Sequence, residues 1–247
     1  MFSVQSSLVM NPINKYCNDK IKKKYLPLLA SGEFIGCFGL TEPNHGSDPG
    51  SMETKAIKDG NNYILNGSKT WISNSPIADV FIIWAKLDNE VRGFLIDRDL
   101  NGISTPKIDG KLSLRTSVTG MIQLDDVKVP KKNILNVNGL KGPFSCLNDA
   151  RLGISFGVLG AAENCLEETI NYVKDRKQFG NLLSEKQLIQ YKLADMYSEY
   201  NLGLLGCYQV AKLFDKNDAI PEIISIVKRN SCQKSLDISR KCRDILG

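Results

Sequence analysis

Histidine occurs once in the 247 residues, at His45. One imidazole leaves almost no room for a serine–histidine–aspartate arrangement or a histidine-rich metal site. The seven cysteines, Cys17, Cys37, Cys146, Cys165, Cys207, Cys232 and Cys242, are odd in number and form no C-x-x-C pair. They read against a disulfide framework or a zinc centre and point to a reducing compartment. No uninterrupted apolar run reaches the length of a membrane span, and no charged-then-apolar segment follows Met1. Aromatic residues are few, 8%, and do not interleave with basic ones, so nothing here stacks nucleic-acid bases. The net charge of +5 is spread along the chain apart from one run, Lys20 to Lys24, which reads as the solvated face of a helix. What is present is a globular composition, 42% hydrophobic and 24% charged, in a chain long enough for one large domain or two modest ones.

Three stretches differ in pattern. Residues 1–33 read as helical: Tyr25, Leu26, Leu28 and Leu29 follow the lysine run at near-helical spacing, and Gly32 supplies a stop. Residues 34–138 carry short strand signals between turns. Asp59-Gly60 separates Met52–Ile57 from Tyr63–Leu65, and Asn66-Gly67 predicts a hairpin turn before Thr70–Ile72, since both residues tolerate positive φ. Asp88-Asn89-Glu90 joins the apolar runs Val80–Trp84 and Val91–Ile96. Many short strands with polar turns predict an antiparallel barrel or sandwich.

Residues 139–247 take a helical period from about Pro143. The spacing places Ile154, Val158, Ala162, Leu166, Ile170 and Val173 on one face. A second helix is predicted from the capping-box sequence Ser184-Glu185-Lys186-Gln187 through Leu188, Tyr191, Met196 and Leu204. A third starts near Pro221 and runs to Leu246. Three amphipathic helices with short connections form a bundle. The fold class is therefore α+β: the tail of a helical domain, a middle β domain and a helical bundle with three of its helices present.

The string Phe38-Gly39-Leu40-Thr41-Glu42-Pro43-Asn44-His45-Gly46-Ser47-Asp48-Pro49 is a loop of small and hydroxyl residues that can bring backbone N–H groups to a flat polar ligand. Read as a generic loop, it is an ordinary turn. As a whole string it resembles the flavin loop of the acyl-CoA dehydrogenase family. Three further segments resemble that family in order. They are Gly67-Ser68-Lys69-Thr70-Trp71-Ile72-Ser73-Asn74, Asp175-Arg176-Lys177-Gln178-Phe179-Gly180 and Cys242-Arg243-Asp244-Ile245-Leu246-Gly247. Ser3–Val9, Ser51–Thr54 and Pro143–Arg151 bring the glutaryl-CoA subgroup closest.

The resemblance implies an FAD-dependent dehydrogenase that removes the proton α to a thioester and passes the β-hydride to the flavin, followed in the glutaryl subgroup by loss of carbon dioxide to give crotonyl-CoA. It implies electron-transfer flavoprotein as acceptor, a homo-oligomer, and a mitochondrial matrix or bacterial cytoplasmic location. It implies flavin contacts from Phe38, Leu40, Thr41, Gly46, Ser47, Trp71, Ile72 and Ser73. Within that set Thr41 serves the pyrimidine side, Ser73 lies near N5, Trp71 covers the ring and Ser47 stands between cofactor and acyl-CoA. Arg176, Phe179, Gln187, Leu246 and Gly247 fall at flavin positions too, with Arg176 and Gln187 reaching a neighbouring subunit. Phe144, Leu147, Asn148 and Arg151 match the family's CoA-binding helix start, and Ser47 shares the substrate role.

Other readings of single residues stay open. Trp71 and Leu147 would also suit core packing, Arg176 a surface ion pair with Asp175 or a nearby acid, and Gln187 the close of a capping box. No metal ligand and no catalytic residue is assigned. The family's base aligns several helical turns past Gly247, its arginine for the distal carboxylate aligns just before Met1, and Glu163, Glu199 and Glu222 do not stand in its motif. On this expectation the 247 residues are a central piece of the family's chain, inactive alone. A non-catalytic flavin- or acyl-CoA-binding remnant and a flavin-dependent acyl-CoA oxidase are the alternatives.

Overall fold

The run Val80–Leu87 forms a strand with alternate side chains committed to two different cores. Val80, Ile82 and Trp84 enter one, and Phe81, Ile83 and Ala85 enter the other. Burial on both faces is why this segment reads as a continuous apolar run rather than an alternating one. The computed structural model describes residues 2–247. It divides into two units, Met1–Ala150 and Arg151–Gly247.

The first unit opens with a π-helical segment, Val4–Met10, and two α-helices, α1 (Asn11–Tyr16) and α2 (Asp19–Ser31). Asn18 caps α2 by accepting the Ile21 N–H at 3.1 Å, and Gly32 ends it at φ +79°. Lys20, Lys23 and Lys24 of the basic run are exposed on it. Eight strands follow: β1 (Gly36–Gly39), β2 (Lys55–Asp59), β3 (Asn62–Ser73), β4 (Val80–Leu87), β5 (Glu90–Asp97), β6 (Ile103–Ser104), β7 (Thr119–Pro130) and β8 (Ile134–Asn138). They form one sheet in the order β6-β7-β3-β2-β4-β5-β8, with β1 paired to β4. Val9, Ile13, Tyr25 and Leu29 of the helices share the core that contains Trp84.

Two expectations for this unit are corrected. The sheet is mixed, because β1 and β2 both pair with β4 in parallel. Asn66-Gly67 is no turn: β3 runs straight through it, and the register against β7 shifts there as a bulge, with Gly67 at φ +147°. A Cβ at Gly67 would stand 2.7 Å from the Thr54 Cα, so glycine serves close approach here. The true hairpin turns are at Gly60 and at Asp88-Asn89, whose φ values of +52° and +64° suit a type I′ turn.

Helix α3 (Lys141–Asp175) begins in the first unit and continues in the second, which adds the short hairpin β9 (Lys177–Gln178) and β10 (Asn181–Leu182), then α4 (Gln187–Asp215) and α5 (Pro221–Leu246). Its core includes Leu159, Leu166, Val173, Met196, Cys207, Ile224 and Ile238. The buried stripe of α3 is Ser155, Leu159, Ala162, Leu166, Thr169 and Val173, so Ile154, Val158 and Ile170 do not lie at its centre. Two polar residues occupy core positions because their hydroxyls donate back to the carbonyls of Arg151 and Cys165, at 2.8 and 2.7 Å. The capping box does not form: Ser184 lies in a 3-10 turn, Gln187 begins α4, and Lys186 precedes it without a side-chain cap. Leu188 and Tyr191 are exposed, and the buried face of α4 is Met196, Tyr200, Gly203, Cys207 and Val210. No helix among the described residues is long and apolar enough to cross a membrane.

Candidate functional site

The two small-residue motifs of the first unit meet through the main chain. The Thr70 N–H donates to the Thr41 carbonyl at 2.9 Å. β1 lies against β4 and brings the chain to Leu40; a Cβ on Gly39 would sit 2.6 Å from Ile83 Cδ1 and 3.2 Å from Lys69 Cγ, so only glycine passes this close to β3. From there Leu40–Gly50 leaves the sheet as a loop closed by paired backbone bonds between Glu42 and His45, each 3.2 Å.

On the other side of this junction β3 bulges a second time. Its register against β7 shifts between Lys69 and Ile72, and Trp71 sits in the shift at φ +58° with its ring 62% exposed. A bulky aromatic residue in the left-handed region costs on the order of 1–3 kcal/mol. Core packing does not offset that cost here, because the ring is in solvent, and the core-packing reading of Trp71 fails. Thr41 and Ser73 are half-buried, while Gly46 and Ser47 are exposed on the loop. Phe38, Leu40 and Ile72 turn their side chains inward; the Phe38 ring meets Trp84 at a centroid distance of 6.0 Å. These three can face a ligand only through backbone.

Beneath the junction lies a pair that sequence reasoning passed over. Lys69 is fully buried and Glu42 is 4% exposed, and they meet at 2.8 Å. The Glu42 carboxylate also accepts the N–H groups of Glu53 and Thr54, at 2.6 and 3.0 Å, and the Thr54 hydroxyl at 2.5 Å. Lys69 gives a further hydrogen bond to the Leu40 carbonyl at 3.1 Å. Burial pushes the Lys69 ammonium down to about 8 against the pull of Glu42. Burial works upward on Glu42, but hydrogen bonds from Lys69, Thr54 and the Glu53 N–H, with the lysine charge, hold it below its ordinary value. The signal available in the sequence was a lysine inside an otherwise strand-like run, with an acid in the facing loop.

The remaining predicted residues belong to other elements of the chain. Phe144, Leu147 and Asn148 are on the first turns of α3; Phe144 is exposed, Leu147 packs on the Trp84 core, and Asn148 is half-buried. Arg151, also half-buried, opens the second unit. Arg176 follows α3, and its carbonyl accepts the Leu183 N–H at 2.9 Å. Its guanidinium has no partner among the described residues, so the ion pair with Asp175 is not formed. The β9–β10 turn holds Phe179 at φ +54° and Gly180 at +79°, leaving the Phe179 ring 95% exposed. Gln187, Leu246 and Gly247 are exposed.

Comparison with known proteins covers nearly all of the chain. Models of the acyl-CoA dehydrogenase N-terminal, middle and C-terminal domains match residues 1–33, 37–127 and 138–247. A mitochondrial short/branched chain specific acyl-CoA dehydrogenase of Bos taurus is 35% identical over 99% of this chain and 58% of its own length. A short-chain specific acyl-CoA dehydrogenase of Clostridium acetobutylicum is 34% identical over 100% of this chain and 67% of its own. Among solved structures, a glutaryl-CoA dehydrogenase from Mycobacterium smegmatis in complex with FADH2 superposes with a TM-score of 0.97 at 46% identity, over 99% of this chain and 64% of that one. The chain thus spans between about half and two thirds of the length of the proteins it matches, and it belongs to the acyl-CoA dehydrogenase family.

Proposed function

We propose that this chain serves an FAD-dependent dehydrogenase of glutaryl-CoA type, converting its thioester to crotonyl-CoA with loss of carbon dioxide. The observation that carries the reading is Trp71, a flat ring held out of the core at a strained φ beside Ser73, on a strand bonded to Thr41. Hydroxyl donors flanking an exposed aromatic face fit a planar, polar-edged cofactor. When bound, FAD supplies the electron acceptor.

The residues of this chain bind, orient and exclude water. Thr41 and Ser73 would hydrogen-bond the polar edge of the ring, and Trp71 would cover its face. Phe38, Leu40 and Ile72 contribute backbone, Gly46 permits close approach, and Ser47 separates cofactor from thioester. Arg176, with an unpartnered fork of donors, suits a pyrophosphate, and with Phe179, Gln187, Leu246 and Gly247 would complete the site of a neighbouring subunit in a homotetramer. Phe144, Leu147, Asn148 and Arg151 would hold the CoA moiety. The 46% identity to the Mycobacterium smegmatis enzyme supports the glutaryl substrate. It also supports a place in lysine and tryptophan breakdown, in a mitochondrial matrix or bacterial cytoplasm, with electron-transfer flavoprotein as acceptor.

The 247-residue chain taken alone is expected to give no dehydrogenase turnover even when FAD is bound. None of its glutamates stands in the family's base motif. Of those in the helical unit, Glu163 accepts the Tyr200 hydroxyl at 2.6 Å, Glu199 pairs with Lys234 at 2.8 Å, and Glu222 lies in the exposed first turn of α5. Loss of a positioned base costs about 10²–10⁴-fold in rate. The test is to load the chain with FAD and add glutaryl-CoA with an artificial electron acceptor. Bound flavin with no steady turnover is expected. Turnover at the rate of an intact family member would show a base within these residues, and oxygen uptake in place of acceptor reduction would favour the oxidase.

A further inference from the structure

A carboxylate and an ammonium buried together call for an explanation, since a well-packed apolar pair of similar volume is often as stable. Glu42 and Lys69 bracket Thr41 and Trp71. Lys69 holds the carbonyl of Leu40, just before Thr41, and the side chain of Glu42, just after it. The Thr41 carbonyl is itself taken by the N–H of Thr70, the residue that follows Lys69. Three consecutive loop residues are thus fixed to one point of β3, and that point lies immediately before the bulge in which Trp71 is strained. Glu42 extends the anchor to Glu53 and Thr54 with three more hydrogen bonds. Apolar side chains would fill the same space but would let the loop slide along the strand, because only hydrogen bonds are directional. A strained residue persists only where its surroundings over-determine it.

We propose that the Glu42–Lys69 pair is a positioning device that sets Thr41 against the Trp71–Ser73 segment so that the two present one flavin-binding edge. The proposal rests on the flavin reading given above. Neither side chain is exposed, so both act through Thr41 and Trp71 and not by touching the ligand.

The test compares Glu42→Gln, Lys69→Met and the double variant with the unaltered chain. Three quantities are read: the denaturant midpoint, FAD affinity with the visible flavin band, and hydrogen exchange of the Thr70 amide. Each single variant lowers the midpoint, because it strands one buried charge. The double variant recovers most of the midpoint, yet binds FAD at least tenfold more weakly, with a shifted flavin band, and exchanges the Thr70 amide at least tenfold faster. A double variant with unaltered FAD affinity and unaltered Thr70 protection makes the pair merely structural and overturns the proposal. If the double variant does not fold, Thr54→Val removes one hydrogen bond to Glu42 while keeping both charges. FAD affinity and Thr70 protection should then each fall about threefold, and no change in either overturns the proposal. Failure of the unaltered chain to take up FAD would defeat the flavin reading, whereas the exchange result decides the pinning of Thr41 by itself.

Discussion

Glu42 and Lys69 meet in the interior of the first unit, whereas the pairs that tie α4 to α5 in the second, Lys192–Asp244, Lys241–Asp195 and Lys234–Glu199, keep between 32% and 63% of their side chains exposed. The helical unit gets its geometry from apolar stripes, and of the polar residues that enter its core, Ser155 and Thr169 bond back to their own helix while Ser235 donates to the Val158 carbonyl and Ser231 meets the Cys207 thiol. Its surface pairs could be exchanged with little consequence. The sheet unit must hold two bulges and a strained Trp71 in one strand, and it does so with a carboxylate that accepts four hydrogen bonds. The buried pair thus lies beside the bulged strand, and the three exposed pairs lie on regular helices.

The sharpest way to break this contrast is to remove one member of each kind of pair. Lys69→Met leaves the Glu42 carboxylate buried and unpaired and should cost about 3–5 kcal/mol in denaturant unfolding. A loss under about 1 kcal/mol would mean that water reaches the pair. Arg176→Ala should leave thermal stability unchanged, since its guanidinium bonds nothing among the described residues, but weaken FAD binding in the oligomer by about 1–3 kcal/mol. Calorimetric titration with FAD checks it, and unchanged affinity removes Arg176 from the site.

Acid separates the two units in a third way. The folded Glu42 carboxyl lies below its ordinary value, so its stabilisation is complete above the ordinary carboxylate range and is lost as pH falls through the folded value. Unfolding free energies measured downward from neutral pH should fall more steeply for the unaltered chain than for Glu42→Gln, which cannot titrate. Equal slopes would place the acid sensitivity elsewhere. The smallest effect belongs to the helical surface: Lys241→Ala should change stability by less than about 1 kcal/mol, and less still in high salt.

Strand and helix periods were legible wherever a segment buries a single face or both faces outright, as in β4 and α5. They misled where polar groups hide or apolar ones do not. Ser155 and Thr169 bond back to their own helix and so displace Ile154 and Ile170 from the centre of the α3 stripe. Asn66-Gly67 carries the residues of a hairpin turn, but the pairing of β3 with β7 continues across it and turns that conformational freedom into a bulge. The capping-box pattern failed because Ser184 was drawn into a 3-10 turn.

The sequence by itself determined the order of elements and the family, because these follow from local patterning and from strings of residue types specific enough to stand alone. Only the tertiary structure decided that Thr41 bonds to Thr70, that Trp71 is strained and exposed, and that Glu42 and Lys69 are buried together. Each depends on which strands lie side by side and in what register. Nothing local to either segment encodes that. A lysine in a strand is ordinarily solvated, and only the loop folding back over β3 seals this one inside with its acid.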